Sequence, residues 1–136
     1  FGLKGSNGID LVISQADEPY VIEVNPRFQA TLECVERVLG LNMVESHINA
    51  CANGFLPTIK EKASSFCTRL ILYTPERISA PDLVIFKEVR NIPYSGVEIE
   101  KGQPLCSIIT LGKSRNLSLE KAEGLAQSIY SMLYSA

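Results

Sequence analysis

Two short β-rich runs near the start of the chain each hold an acid at an interior position. Asp10 lies in Gly8-Ile9-Asp10-Leu11-Val12, and Glu23 in Tyr20-Val21-Ile22-Glu23-Val24-Asn25. Between them Gln15-Ala16-Asp17-Glu18-Pro19 is polar and ends in proline, so the pair reads as a hairpin with strands over Ile9 to Ser14 and Tyr20 to Asn25. With a four-residue loop, Gln15 to Glu18, Ser14 faces Pro19 and Asp10 sits directly across from Glu23. Side chains alternate faces along a strand. One face then carries Ile9, Leu11 and Ile13 against Val24, Ile22 and Tyr20; the other carries Asp10 and Val12 against Glu23 and Val21, with Asn25 next along. Opposed residues have Cβ atoms about 4.5–5.5 Å apart, and like charges there are destabilising. Two carboxylates so placed, with an amide two residues on, call for a compensating cation. Hard oxygen donors suit Mg²⁺ or Mn²⁺, with phosphate oxygens completing the coordination. Pro26 restricts Asn25 to an extended backbone, and the Arg27 fork suits a phosphate or carboxylate. The competing reading is a surface hairpin with a solvated polar face, and a slip of one residue would remove the acid opposition.

The remaining elements must hold that hairpin. Leu32, Val35, Val38 and Leu39 share a helical face, and Gly40 is a natural stop. Asn42 with Glu45 resembles a capping box; Val44, Ile48 and Cys51 form the stripe of a second helix, which Gly54 ends. Phe55-Leu56-Pro57 leads into a polar connector, Lys60 to Ser65, taken as a lobe boundary. In the second half Thr68 to Tyr73, Leu83 to Phe86 and Leu105 to Leu111 are strand candidates, with Gly96 to Pro104 a small bent β unit. A closing amphipathic helix is expected from Ser118 as N-cap, with Leu119, Ala122, Leu125 or Ala126, Ile129 and Leu133 on its apolar stripe. The organisation expected is α+β, in two parts: 1–59 with the hairpin and two helices, and 60–136, β-rich with a terminal helix.

Bulk properties exclude several classes. The chain has 136 residues, 46% hydrophobic and 21% charged, which is ordinary for a globular sequence. A net charge of −2 without a basic run argues against nucleic acid or an anionic membrane surface as partner. No apolar run approaches the roughly 20 residues that span a bilayer. The four cysteines, Cys34, Cys51, Cys67 and Cys106, form no Cys-x-x-Cys pair and have no nearby histidine partner, so buried reduced thiols and a cytoplasmic location are expected. The start, Phe1-Gly2-Leu3-Lys4, lacks an initiator methionine and runs almost at once into a strand, which reads as a cut through a larger protein.

Gly8-Ile9-Asp10-Leu11-Val12 followed by Tyr20-Val21-Ile22-Glu23-Val24-Asn25-Pro26-Arg27 resembles the metal-binding end of the ATP-grasp superfamily, the Glu-x-Asn-Pro-Arg run being its most specific part. Glu33, Gly40-Leu41-Asn42, His47 to Gly54 and Leu56-Pro57 extend the resemblance toward carboxylase-like members. More weakly, Pro93, Gly96, Lys101-Gly102-Gln103-Pro104 and the last helix resemble their small C-terminal domain. The resemblance implies the end of an ATP-grasp C-terminal lobe, antiparallel strands with helices, followed by that small β-rich domain. It implies an ATP-dependent carboxylate–amine or carboxylate–thiol ligase working through an acyl phosphate. Asp10, Glu23 and Asn25 would bind Mg²⁺ or Mn²⁺, Arg27 would contact the acceptor carboxylate or transferring phosphoryl group, and ATP and a small carboxylate would be the partners, with a homodimer open as the assembly. Nucleotide-binding residues would lie upstream of Phe1, so the isolated chain is expected to be inactive. The alternative function is a non-catalytic binding or assembly module derived from the same fold.

Three motifs are set aside. Gly112-Lys113-Ser114 lacks the upstream glycine of a P-loop, because Ser107 stands there. His47, the single histidine, lies beside Ile48 on a helix and reads as structural or half-exposed. Gly96 to Leu105 resembles the turns of a biotinyl or lipoyl carrier but presents no lysine at a hairpin tip flanked by small or methionine residues.

Overall fold

The loop after the first strand decides how the first two strands meet. In a computed structural model, which describes residues 2–59 and 63–134, β1 (Gly8–Ile13) and β2 (Pro19–Asn25) form an antiparallel pair. Ser14 N–H donates to Glu18 O (2.9 Å), and Asp17 N–H to Ser14 O (3.1 Å). Asp17 is left-handed at φ 58, and Ser14 Oγ accepts from the N–H groups of Ala16 and Glu18, both at 3.2 Å. This is a three-residue hairpin loop closed by a left-handed aspartate, one residue tighter than the sequence suggests. Ile13 accordingly faces Pro19, Val12 faces Tyr20 and Leu11 faces Val21.

A β-bulge then corrects the offset. Between Leu11↔Val21 and Asp10↔Glu23 the register shifts by one, leaving Ile22 as the extra residue of β2. Beyond it Asp10 faces Glu23, Ile9 faces Val24 and Gly8 faces Asn25, as the sequence reading has them. The loop end differs from that reading: Tyr20 lies across from Val12 on the acid-bearing face, and Val21 across from Leu11 on the apolar one. A regular continuation from the tight loop would have put Asp10 opposite Ile22. The bulge is therefore what makes the acids meet.

Two helices follow, α1 (Leu32–Leu39) and α2 (Met43–Asn53), closed by left-handed Gly40 and Gly54. Asn42 caps α2, its side chain accepting from Glu45 N–H at 2.9 Å, and Glu36 accepts Met43 N–H at 2.8 Å. The chain divides into two compact units, Phe1–Lys62 and Ala63–Ala136. The expected connector Lys60 to Ser65 lies partly outside the described residues. In the first unit Ala50 is the buried apolar residue among those described, while Ile9, Leu11, Val12, Ile13, Tyr20, Val21 and Ile22 are all more than half exposed. A two-stranded hairpin buries too little to be stable by itself.

The second unit has its own core. Strand β3 (Phe66–Tyr73) pairs with β7 (Pro104–Gly112), which also pairs with β5 (Val89–Arg90); β4 (Ile78–Ser79) pairs with β6 (Glu98–Ile99). Leu72, Val89, Ile99, Leu105 and Ile108 pack with Ala122, Ala126 and Ile129 of α3 (Arg115–Leu133). The bent unit from Gly96 to Pro104 is present, with Thr74 buried against it, donating from Oγ1 to Glu100 O at 2.6 Å. Two expectations fail here. Leu83 to Phe86 is a turn rather than a strand: Asp82 Oδ1 accepts Val84 N–H and Leu83 O accepts Phe86 N–H, a local arrangement that outcompetes pairing. The last helix starts four residues earlier than expected, with Ser114 as its N-cap accepting Leu117 N–H at 3.2 Å. Ser118 is instead fully buried, donating to Thr110 O (3.1 Å) while Thr110 Oγ1 donates to Ser118 O (2.6 Å).

Candidate functional site

The bulge, the turn after β2 and a run of polar contacts assemble the candidate site at the open end of the hairpin. Asp10 and Glu23 are cross-strand partners, and Asn25 is two residues beyond Glu23 on the same face. Asn25 Nδ2 donates to Asp10 Oδ2 at 3.3 Å. A carboxylate only accepts, so the amide nitrogen must face it, and Asn25 Oδ1 remains as the oxygen that could act as a donor atom to a cation. Among the described residues neither acid takes part in an ion pair; the pairs found are Arg37 with Glu33, and Arg77 with Glu98 and Glu100.

Two carboxylates and an amide oxygen on one face form a hard-oxygen donor set that fits Mg²⁺ or Mn²⁺. Among the described residues no group of three or more His, Cys, Asp or Glu side chains clusters around a metal position. The third oxygen of this set is that of Asn25, and a cation held there would complete its shell with oxygens of water or of a ligand.

Past Asn25 the backbone folds tightly, with Arg27 N–H donating to Asn25 O across Pro26 at 2.8 Å. Gln29 Nε2 donates to Arg27 O at 3.1 Å, and the Gln29 side chain lies so close over Gly8 that a Cβ there would come within 2.2 Å of it. The Arg27 side chain is exposed, and among the described residues its hydrogen bond goes to Phe28 O, at 3.3 Å. Its cationic fork is in no ion pair among the described residues. Asp10, Glu23, Asn25 and Arg27 are thus gathered at one end of one hairpin.

Two polar groupings escaped sequence reasoning. His47 and Cys51, four apart on α2, bring Nε2 and Sγ to 3.6 Å, so Cys51 does have a histidine neighbour and is exposed rather than buried. The spacing of four was a visible signal. In the second unit Arg69 Nη2 and Asn91 Nδ2 both donate to Ser107 Oγ, at 3.2 and 3.1 Å, beside a groove also lined by Ile71, Pro104 and Cys106. Arg69 and Ser107 are 38 residues apart, and no local pattern links them. None of the cysteines is in a disulfide, and burial pushes the Cys106 thiol up to about 11.

Residues 1–31 match the family model of the ATP-grasp domain. An uncharacterized protein of Methanocaldococcus jannaschii is 31% identical over 109 residues, covering 80% of this chain and 27% of that protein. By structure the chain is similar to an L-amino acid ligase from Bacillus licheniformis, with a TM-score of 0.64 and 16% identity over 93% of this chain and 34% of that one. It is also similar to N5-carboxyaminoimidazole ribonucleotide synthetase from Thermotoga maritima, with a TM-score of 0.59 and 18% identity over 91% and 36% of the two chains. Similarity to the ATP-grasp domain by sequence therefore covers the hairpin, and similarity of α+β fold to these two enzymes covers nearly the whole chain. The chain spans little more than a quarter of the curated relative and about a third of these structures. Among the described residues no helix is long and apolar enough to cross a membrane.

Proposed function

We propose that the chain contributes the metal- and phosphate-handling end of an ATP-dependent, Mg²⁺-dependent ligase. This ligase joins a carboxylate to an amine, or to a thiol, through an acyl phosphate. The observation that carries this reading is the bulged register that sets Asp10 against Glu23 with Asn25 alongside. The ATP-grasp match over the same residues supports it.

In this reading Asp10, Glu23 and Asn25 hold the divalent ion, which when bound neutralises phosphate charge on the nucleotide. Asn25 keeps Asp10 oriented through its Nδ2 contact and offers Oδ1. Arg27 presents its fork to an anionic oxygen of the acceptor carboxylate or of the phosphoryl group in transfer. Its backbone is held from both sides, by Asn25 O and by Gln29 Nε2. The site contains acids, an amide and a cation but no activated nucleophile. That suits phosphoryl transfer, where positioning and charge stabilisation do most of the work. The nucleotide pocket would come from a longer protein of which this sequence is part. In that full-length protein Glu23→Ala should abolish ATP turnover while leaving the fold intact by circular dichroism. Turnover equal to wild type would remove Glu23 from the metal site.

A further inference from the structure

His47 joins three segments that are far apart in sequence. Its Nδ1 accepts the backbone N–H of Ser6 at 2.9 Å. Its ring lies 4.7 Å from that of Phe28, tilted by 52°. Its Nε2 lies 3.6 Å from Cys51 Sγ one turn further along α2. Gly5 is pressed onto the same ring: it is left-handed at φ +72, and a Cβ there would fall 2.4 Å from His47 Nδ1. The glycine is needed both for its backbone conformation and for the approach.

These contacts fall at a defined place. Ser6 is two residues before Gly8, the residue of β1 that pairs with Asn25. Phe28 directly follows Arg27, and Phe28 O receives Arg27 Nη1. His47 thus grips both strands of the hairpin where they leave the acid-bearing end, while Ser14 closes the opposite end. At that end the ring adds a tie to α2 beyond the local contacts of Asn25 with Asp10 and of Gln29 with Arg27 O and Gly8, none of which reaches α2.

The contacts also define what the imidazole does. Because Nδ1 accepts a backbone N–H, the ring hydrogen sits on Nε2 and faces the Cys51 sulfur. The ring is a donor to that thiol and not its base, so the pair is not arranged as a nucleophile and its activator.

We propose that His47 is the positioning residue for the Asp10, Glu23, Asn25 and Arg27 set, holding the two chain segments that carry it at a fixed separation on α2. This rests on the metal-site reading above. Groups that hydrogen-bond directly to metal ligands govern affinity by fixing their orientation, typically at ten- to a hundredfold; His47 acts one step further back, through the chain segments that carry the set.

The test is Mn²⁺ titration of the full-length protein with a non-hydrolysable ATP analogue present, followed by the electron paramagnetic resonance signal of free Mn²⁺. Folding of each variant is checked at the same temperature by circular dichroism. His47→Ala should weaken Mn²⁺ binding about tenfold, at the lower end of the range for such supporting groups. His47→Asn, whose Oδ1 can take the Ser6 N–H in place of Nδ1, should recover most of that loss; Cys51→Ala should bind as wild type. If His47→Ala does not fold, Phe28→Leu, which removes the ring contact alone, should still weaken binding. Wild-type affinity in His47→Ala, or in Phe28→Leu where His47→Ala is unfolded, overturns the proposal, as does equal loss in His47→Asn and His47→Ala. Glu23→Ala separates the two readings. If it binds Mn²⁺ as wild type, the metal site itself is wrong and the proposal falls with it. If Glu23→Ala loses Mn²⁺ while His47→Ala does not, only the positioning role fails.

Discussion

Neutralising one acid of the opposed pair should stabilise the metal-free protein. Asp10→Asn removes one charge while keeping the size of the side chain and an acceptor for Asn25. Asp10 and Glu23 are direct cross-strand partners. Two unit charges about 5 Å apart in water repel by roughly 0.8 kcal/mol, and cross-strand pairs span about 0.2–1 kcal/mol. Both side chains are exposed, so the gain should be about 0.5 kcal/mol at low salt. At roughly 4–8 °C per kcal/mol for a unit of this size, Tm should rise by about 2–4 °C. The screening length shrinks from about 30 Å at 0.01 M salt to about 3 Å at 1 M, so the gain should largely vanish in 1 M NaCl. The assay is thermal unfolding by circular dichroism at the two salt concentrations with chelator present. In the full-length protein, adding Mn²⁺ and ATP should reverse the order, because only wild type gains binding free energy. An unchanged or lowered Tm for Asp10→Asn at low salt would refute the opposition, as would a gain that survives 1 M NaCl.

Other expectations concern the elements that carry the site and the second unit. Gly5→Ala should destabilise the first unit by about 2–4 kcal/mol, combining left-handed strain with overlap against the His47 ring; a change under 1 kcal/mol in chemical denaturation would contradict the clamp. Thr110→Val removes the donor to buried Ser118 O and should cost about 1–3 kcal/mol in the second unit, measured the same way. Ser114→Ala should cost about 1 kcal/mol as loss of an N-cap, and no loss would return the helix start to Ser118. Cys106 is held protonated by burial, with its thiol at about 11 against 9.0 when exposed. Its folded value is raised, so the associated stability is present below pH 9 and is lost as pH climbs toward 11. The loss should approach roughly 3 kcal/mol and be absent in Cys106→Ala, read from denaturation midpoints across that range.

The sequence shows the hairpin, the extents of α1 and α2 and the Asp10–Glu23 opposition, because alternation and capping residues are local signals. The stripe expected on α2 is not its buried face: Val44, Ile48 and Cys51 are exposed, and Ala50 is the residue that is buried. The route to that opposition was not visible. Two departures cancel: the loop is one residue shorter than the polar run suggests, and the bulge at Ile22 restores the offset. Apolar alternation through Val21-Ile22 gives no hint of a bulge, because every residue there is strand-forming. Leu83 to Phe86 misled for a related reason, since a β-branched apolar run hides the turn that Asp82 nucleates. Ser118 reads as an N-cap in the sequence, and its buried contacts with Thr110 show that it lies inside the helix. The His47 clamp joins Ser6 and Phe28 to α2 across long sequence gaps, which is beyond any periodicity.

We propose that the bulged hairpin is a metal site completed by nucleotide phosphates. The most direct test is Mn²⁺ binding to full-length wild type and to the Asp10→Ala, Glu23→Ala double variant, each with and without ATP. Wild type should bind Mn²⁺ much more tightly with ATP than without, and the double variant should lose that ATP-dependent binding while remaining folded. Equal ATP-dependent Mn²⁺ binding by the two proteins would contradict the account.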